Sequence, residues 1–156
     1  MMKTIIYKLD KSRIRDLTEC SAAEGFPYPM TQALAEIYCR GKDPSEEGVQ
    51  TYGVYEDNRL VSVMTATFCA VFPCKDSPTV RIVHISGAYT LPAYRHRRYA
   101  TQLLAAIEKD AVRFGADYLC CDSTADGLYQ SFGMTPTDES ETRMWKSLSD
   151  EKEDLK

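Results

Sequence analysis

The feature that most constrains the fold is a change of hydrophobic period near residue 100. Before it, two long segments at 60–72 and 79–91 are rich in β-branched and aromatic residues, which is typical of long strands. From Ala100 onward the apolar residues recur at helical spacing, and Gly115 follows where a helix would end. A short apolar segment at 118–121 then predicts a strand buried on both faces. This succession indicates a domain that mixes α and β structure.

The first part of the chain contains two predicted helices between two predicted strands. Strand patterns lie at 4–9 and 49–55, and Asp10 and Thr31 are the expected N-caps of the helices between them. Directly after the second strand, Asp57-Asn58 predicts a hairpin turn, because both residues tolerate a positive φ. The hairpin joins this strand to the long strand that follows it.

The end of the chain completes a single α+β domain with a mixed sheet. A short helix through Tyr129 is expected to begin at Ser123-Thr-Ala-Asp126, which resembles a capping box, and to end at Gly133, and a last strand follows at 142–148. We expect the element order β-α-α-β-β-β-α-β-α-β(β) within residues 1–148. The remaining residues, 149–156, are polar and predict a frayed tail.

Length, charge and residue usage exclude several classes of function. The 156 residues are enough for one ordinary domain. The net charge of −4, from 19 Lys and Arg against 23 Asp and Glu, lacks the positive excess that non-specific nucleic-acid binding needs. No apolar run approaches the ~20 residues of a membrane span, and the start of the chain has no secretion signal. We therefore expect a cytoplasmic protein with reduced cysteines and no membrane partner. With two histidines and no Cys-x-x-Cys pair, we expect no metal site.

The segment most informative about chemistry runs from the end of the third long strand into the following helix. It reads Thr90-Leu-Pro-Ala-Tyr-Arg95-His-Arg-Arg-Tyr-Ala100-Thr101, in which a proline turns the chain and a basic loop precedes the helix. A helix N-terminus presents unpaired N–H groups and the positive end of the helix dipole, and the basic side chains add charge. The pattern indicates a phosphate site, with a solvated basic turn or a nucleic-acid patch as alternatives.

Two motifs can be compared with those of a known family. The basic loop contains Arg95-x-x-Arg98-x-Ala100, and a later helix reads Leu128-Tyr129-Gln-Ser-Phe-Gly133-Met134. They resemble the pyrophosphate loop Gln/Arg-x-x-Gly-x-Gly/Ala and the helix Leu-Tyr-x-x-x-Gly-Phe of the GNAT superfamily of acyl-CoA-dependent N-acetyltransferases. Arg98 departs from the loop pattern, because it replaces the middle glycine. The resemblance covers about 80–148 and implies a mostly antiparallel central sheet with helices on both faces.

The resemblance also implies where acetyl-CoA, the acyl donor, binds. In the family, a bulge in the strand before the loop opens a slot for pantetheine, and Gly87 is well placed for such a bulge. Beyond it, Ala88, Tyr89 and Thr90 would line the pantetheine, and one of their N–H groups could stabilise an oxyanion. The pyrophosphate would lie on the loop and the helix start, which comprise Arg95, His96, Arg97, Arg98, Tyr99, Ala100 and Thr101.

The family's catalytic positions carry residues that suit proton transfer. Tyr129 matches the tyrosine that protonates the departing CoA thiolate, with a packing role in the helix as the alternative. His84 lies eleven residues before Arg95, where the family often has a base for the amine. The alternative for His84 is a core histidine bonded to a carbonyl group. Ser86 could hold a relay water, although strand serines usually only form hydrogen bonds.

The loop between the first two helices edges the acceptor site in this family. Glu24, Phe26 and Tyr28 are the expected substrate-binding residues there, and the acidic segment 137–141 fits the same side. If the acidic loops face the site, they favour a cationic small amine or a basic peptide as acceptor; the alternative is that they are only solvated. The protein would be a monomer or a homodimer.

Two functions of other classes stay open at this point. One is a non-catalytic acyl-CoA-binding module, such as a sensor, which the Arg98 departure makes possible. The other is a small nucleic-acid-binding protein that uses the basic loop, against which the net charge of −4 argues. The presence of both Tyr129 and His84 favours an N-acetyltransferase that acts on a primary amine.

Overall fold

The computed structural model describes residues 4–76, 78–122, 128–137 and 140–148. Within these residues, a seven-stranded sheet forms the centre of the fold. Its strands are β1 (Thr4–Lys8), β2 (Gly48–Glu56), β3 (Arg59–Ala70), β4 (Arg81–Thr90), β5 (Tyr118–Asp122), β6 (Thr135–Thr137) and β7 (Ser140–Ser147). Four α-helices accompany it, namely α1 (Ile14–Ser21), α2 (Gln32–Tyr38), α3 (Tyr99–Phe114) and α4 (Leu128–Ser131). None of these helices is both long and apolar enough to span a membrane.

The strands lie in the order β1-β2-β3-β4-β5-β7-β6. Every neighbouring pair is antiparallel except β4 and β5, which run parallel. Parallel neighbours need a long crossover connection, and α3 supplies it. The predicted element order and the mixed, mostly antiparallel α+β fold are therefore confirmed. The optional final strand of the predicted order is β6, whose three residues are too few for a recognisable hydrophobic pattern.

Local signals in the sequence explain where several elements begin and end. Asp57 and Asn58 have φ values of 49° and 68°, which form the tight turn between β2 and β3. Thr31 caps α2, because its hydroxyl accepts a hydrogen bond of 3.2 Å from the backbone N–H of Leu34. Gly115, with a φ of 80°, ends α3. The predicted start of the short helix at 123–126 and the predicted tail at 149–156 lie outside the described residues.

The two faces of the sheet are covered by different helices. On one face, Met64, Ala66 and Phe68 of β3 are fully buried, and the ring of Phe68 meets Phe114 of α3 edge-on at 5.5 Å. On the other face, Val63 and Thr65 of β3 line a cleft together with residues of α1 and of the loop after it. We call these the α3 face and the α1 face. Helices therefore lie on both faces of the sheet, as the resemblance predicts.

Candidate active site

A β-bulge divides β4 into two parts. Thr65 of β3 pairs with Gly87, whereas the next residue, Ala66, pairs with Ile85, so that Ser86 is an extra residue in β4. The bulge expected at Gly87 is thus confirmed. An extra residue inverts the alternation of side chains along a strand. As a result, His84 before the bulge and Tyr89 after it lie on the same face of the sheet, the α1 face.

Beyond the bulge, β4 and β5 separate. The two strands pair from Ile82 with Tyr118 to Ile85 with Cys121, and among the described residues the rest of β4 pairs only with β3. Among the described residues, the edge of β4 that faces β5 therefore has no strand partner along 87–90, and we call the space beside this edge the wedge-shaped gap. An extended ligand that carries amide groups can add to such an edge in the way that a further strand would.

The basic loop and the start of α3 line a shallow cleft at the end of β4. The cleft has a volume of about 240 Å³, and Leu128 of α4 borders its other side. All predicted cofactor-binding residues except Ala88 and Tyr89 line this cleft. They are Thr90, Arg95, His96, Arg97, Arg98, Tyr99, Ala100 and Thr101. The guanidinium of Arg95 donates from Nε to the carbonyl oxygen of Thr90 at 3.0 Å, which ties the loop to the strand.

The loop enters α3 through two left-handed residues. His96 has a φ of 64°, and Arg98, at the N-cap of α3, has a φ of 62°. A side chain in this conformation costs about 1–2 kcal/mol, a penalty that glycine avoids. The position where the family pattern has glycine thus requires a glycine-like backbone here as well. Arg98 keeps that backbone and adds a positive charge beside the cleft.

A buried carboxylate holds two of the loop residues. Glu56, at the end of β2, is 5% exposed and accepts hydrogen bonds of 2.7 Å on both carboxylate oxygens from Nη1 of Arg97. The hydroxyl of Tyr99 also donates to Oε2 of Glu56. These hydrogen bonds from Tyr99 and Arg97 lower the pKa of Glu56 below its ordinary value, and Glu56 in turn raises the pKa of Arg97. The side chains of Arg97 and Tyr99 are therefore directed to Glu56, so that a role for them in phosphate binding rests on their backbone N–H groups and stays a prediction.

His84 forms a pair that the sequence did not reveal. Its Nε2 lies 3.3 Å from Oδ2 of Asp122, the last residue of β5, and the two side chains are 35% and 48% exposed. His84 is therefore only partly buried and pairs with a carboxylate rather than with a carbonyl group, and its role as the base stays a prediction. The parallel register places His84 opposite Cys120, so Asp122, two residues later, comes to the same face. The sequence contains no signal for this register.

Ser86 and Tyr129, the other two predicted catalytic residues, have different surroundings. Ser86 is exposed in the bulge and its hydroxyl donates to the backbone oxygen of Thr65 at 3.4 Å. Tyr129 is a buried residue of α4 and belongs to the hydrophobic core. Its carbonyl oxygen accepts hydrogen bonds from the N–H groups of Phe132 and Met134. The relay role of Ser86 and the acid role of Tyr129 stay predictions.

The predicted acceptor loop meets the second half of β4. Phe26 packs edge-on against Tyr89 with ring centroids 4.7 Å apart, and the Tyr89 hydroxyl donates to the carbonyl oxygen of Glu24 at 2.6 Å. Phe26 and Tyr28 line a cleft of about 120 Å³ on the α1 face, together with Ala88 and Tyr89. Glu24 thus contributes its backbone here, and its substrate role stays a prediction. In the acidic segment 137–141, residues 138–139 lie outside the described residues.

Comparison with known proteins identifies the family. Residues 11–134 match the sequence model described as the acetyltransferase (GNAT) family. The chain belongs to this family. No curated protein sequence matches the chain.

Solved structures of acetyltransferases share the fold. Arabidopsis thaliana NAA60 in complex with acetyl-CoA has a TM-score of 0.71 at 11% identity, over 94% of this chain and 99% of that one. The aminoglycoside N-acetyltransferase AAC(6')-Iy, bound to a bisubstrate analogue, has a TM-score of 0.66 at 19% identity, over 88% and 95%. A predicted acetyltransferase from Clostridium acetobutylicum with acetyl-CoA has a TM-score of 0.63 at 18% identity, over 90% and 94%. At these identities, the similarity shows the fold alone.

Proposed function

We propose that the protein is an N-acetyltransferase that moves the acetyl group of acetyl-CoA to a primary amine by direct attack in a ternary complex. The observation that carries the proposal is the position of His84, which is partly exposed on the α1 face next to the bulge where the pairing of β4 with β5 ends. A base at this point lies between the wedge-shaped gap and the open side of the sheet. An acyl donor in the gap and an amine on the α1 face would therefore meet beside it.

The gap and the basic cleft together suit acetyl-CoA. The cleft offers the N-terminus of a 16-residue helix and a loop with several arginines to the pyrophosphate. The edge of β4 along 87–90 offers backbone groups to the amides of pantetheine. Two further facts support this donor: NAA60 has the same fold and was solved with acetyl-CoA, and AAC(6')-Iy was solved with a CoA-containing bisubstrate analogue.

His84 takes the proton that the amine must lose. An alkylamine has a pKa near 10.4, so only a small fraction is neutral and nucleophilic near pH 7. The carboxylate of Asp122 can only accept hydrogen bonds, so it places the proton of neutral His84 on Nε2 and leaves the lone pair of Nδ1 for the proton of the amine. The negative charge of Asp122 then stabilises the imidazolium that forms.

The leaving group needs a proton of its own. As the amine nitrogen bonds to the carbonyl carbon, the C–S bond breaks and its electron pair stays on the CoA sulfur as a thiolate. Tyr129 is the proposed donor of a proton to this sulfur, because α4 begins at the side of the basic cleft that Leu128 borders. Exchange with solvent then removes the proton from His84 and returns one to Tyr129, which closes the cycle.

Acyl-CoA binding without turnover is the competing function, and one assay separates the two. Free thiol release from acetyl-CoA is measured across a panel of amines for the wild type, for His84→Gln and for His96→Gln, which replaces the only other histidine of the chain. We expect His84→Gln to lower kcat/KM by ~10²-fold near neutral pH and to flatten the acidic limb of its pH profile. His96→Gln should keep that limb. Tight CoA binding with no thiol release for any amine would support the non-catalytic module instead.

A further inference from the structure

The α1 face continues past His84 into a region that has no assigned role. Across the strands, His84 pairs with Cys120, and Cys120 pairs with Trp145 of β7, so these three side chains form one row on this face. The next row, toward the start of β4, holds Ile82 paired with Tyr118. On this side of the sheet, α1 and α2 pack mainly on β2 and β3. The outer part of the face therefore lies next to the proposed base but away from the two helices.

An apolar cleft occupies this outer part. It has a volume of about 430 Å³ and is lined by Val71, Phe72, Thr79, Ile82, Tyr118 and Trp145, none of which carries a charge. The rings of Tyr118 and Trp145 meet edge-on at 5.1 Å and form one wall. Phe72 is 96% exposed. Exposure of so large an apolar side chain to water is unfavourable in free energy, and a bound apolar group would remove this cost. Aromatic lining of this kind is typical of pockets for small organic groups.

The distance between the cleft and His84 follows from the positions of their residues in the sheet. Ile82 is two residues before His84 on the same strand and the same face, which corresponds to roughly 7 Å along the sheet. Trp145 is two strands away from His84, which corresponds to roughly 10 Å across it. A molecule with its nitrogen at His84 can thus place a ring or a branched alkyl group in the cleft.

We infer that this cleft binds the apolar part of the acceptor, which is a primary amine that carries an aromatic or bulky aliphatic group roughly 7 Å from its nitrogen. This inference rests on the proposed function, because it takes His84 as the point where the amine reacts. The uncharged lining offers no partner for a second positive charge, which argues against a polyamine or a basic peptide, although the acidic segments of the sequence favour such acceptors. An arylalkylamine with a short alkyl chain, such as 4-phenylbutylamine, has the required chemistry.

The single tryptophan of the chain, Trp145, allows occupancy of the cleft to be measured without catalysis. The full-length protein is titrated with 4-phenylbutylamine and, as the matched control, with n-butylamine, which has the same charge and no ring. We expect a saturable change in tryptophan fluorescence with 4-phenylbutylamine alone.

Turnover gives the second measurement. Burial of one aromatic ring changes kcat/KM by about ten- to hundred-fold, so 4-phenylbutylamine should be preferred over n-butylamine by that factor. Phe72→Ala should reduce this preference several-fold, and its exposure means that the variant keeps a folded core. Ile37→Ala is the control, because Ile37 is a 53% exposed apolar residue of α2 outside the cleft, and it should leave the preference unchanged.

Three results have distinct meanings. Preference for n-butylamine or spermidine, with no ring-dependent fluorescence change, overturns the cleft assignment while the proposed acetyl transfer stands. A ring-dependent fluorescence change without acetylation of any amine supports the cleft and overturns the proposed function. A dimer in sedimentation that Phe72→Ala dissociates, with no effect of either amine on fluorescence, shows that a second copy covers Phe72 and also overturns the cleft assignment.

Discussion

Replacement of Arg98 by glycine should stabilise the folded protein. Arg98 holds a φ of 62° at the N-cap of α3, where a side chain costs about 1–2 kcal/mol. Glycine removes this cost but adds about 0.5–1 kcal/mol through the greater freedom of the unfolded chain. The neighbouring Arg97 and Tyr99 are held by Glu56, so the turn cannot relax to another conformation in the wild type. The net gain is therefore about 0–1.5 kcal/mol, with a midpoint of about 0.75 kcal/mol.

Thermal unfolding of three proteins tests this reasoning. For a chain of this length, each kcal/mol corresponds to about 2–4 °C, so at the midpoint of that gain Arg98→Gly should raise Tm by about 1.5–3 °C. Arg98→Ala is the matched control, because it removes the same charge and keeps the Cβ atom that causes the strain. Its Tm should stay at or below that of the wild type.

Equal melting temperatures for the glycine and alanine variants would refute the argument from backbone strain. The same pair also reports on the cofactor. If the Arg98 side chain contacts a phosphate, both variants should lose affinity for acetyl-CoA to the same extent, because both lack the guanidinium. A loss of acetyl-CoA affinity in Arg98→Ala but not in Arg98→Gly would mean that only the backbone conformation of the loop matters for binding.

The remaining predictions concern the anchor of the loop, the acid and the phosphate site. Glu56→Gln should raise the KM for acetyl-CoA several-fold with little change in kcat, because Arg97 loses its charged partner; Tyr99→Phe, which retains that pair, should have a smaller effect. The pKa of Glu56 is lowered in the folded protein, so its stabilising contribution is complete above the ordinary pKa of 4.5 and is lost as the pH falls through the lower folded value. When Tm is measured against pH, the decline of Tm at acidic pH should therefore be weaker in Glu56→Gln than in the wild type. Tyr129→Phe should lower kcat by ~10²-fold with little change in CoA affinity, and an unchanged kcat with chemistry rate-limiting would exclude Tyr129 as the acid. Arg95→Ala should weaken CoA more than pantetheine in calorimetry, since only CoA has phosphates, and equal losses would place the phosphates elsewhere.

Features that depend on neighbours in the chain could be predicted from the sequence. The turn at Asp57-Asn58, the cap at Thr31 and the end of α3 at Gly115 each follow from the conformations that one or two residues prefer. The part of the basic cleft from Thr90 to Thr101 is also predictable, because a strand end, a loop and a helix start are contiguous there in the chain. Local propensity and hydrophobic period act over a few residues, and that range is enough for these features.

The contacts that define the site depend on strand register, which only the folded chain sets. His84 meets Asp122 because β4 and β5 pair in parallel in one register, and a shift of one residue would turn Asp122 to the other face. Glu56 and Arg97 are 41 residues apart in the chain and meet through the order of the strands. The same is true of the apolar cleft, whose walls come from the β3–β4 connection, β4, β5 and β7. Pairing between distant strands is decided by the burial of the whole sheet, so no short segment of the sequence encodes these contacts.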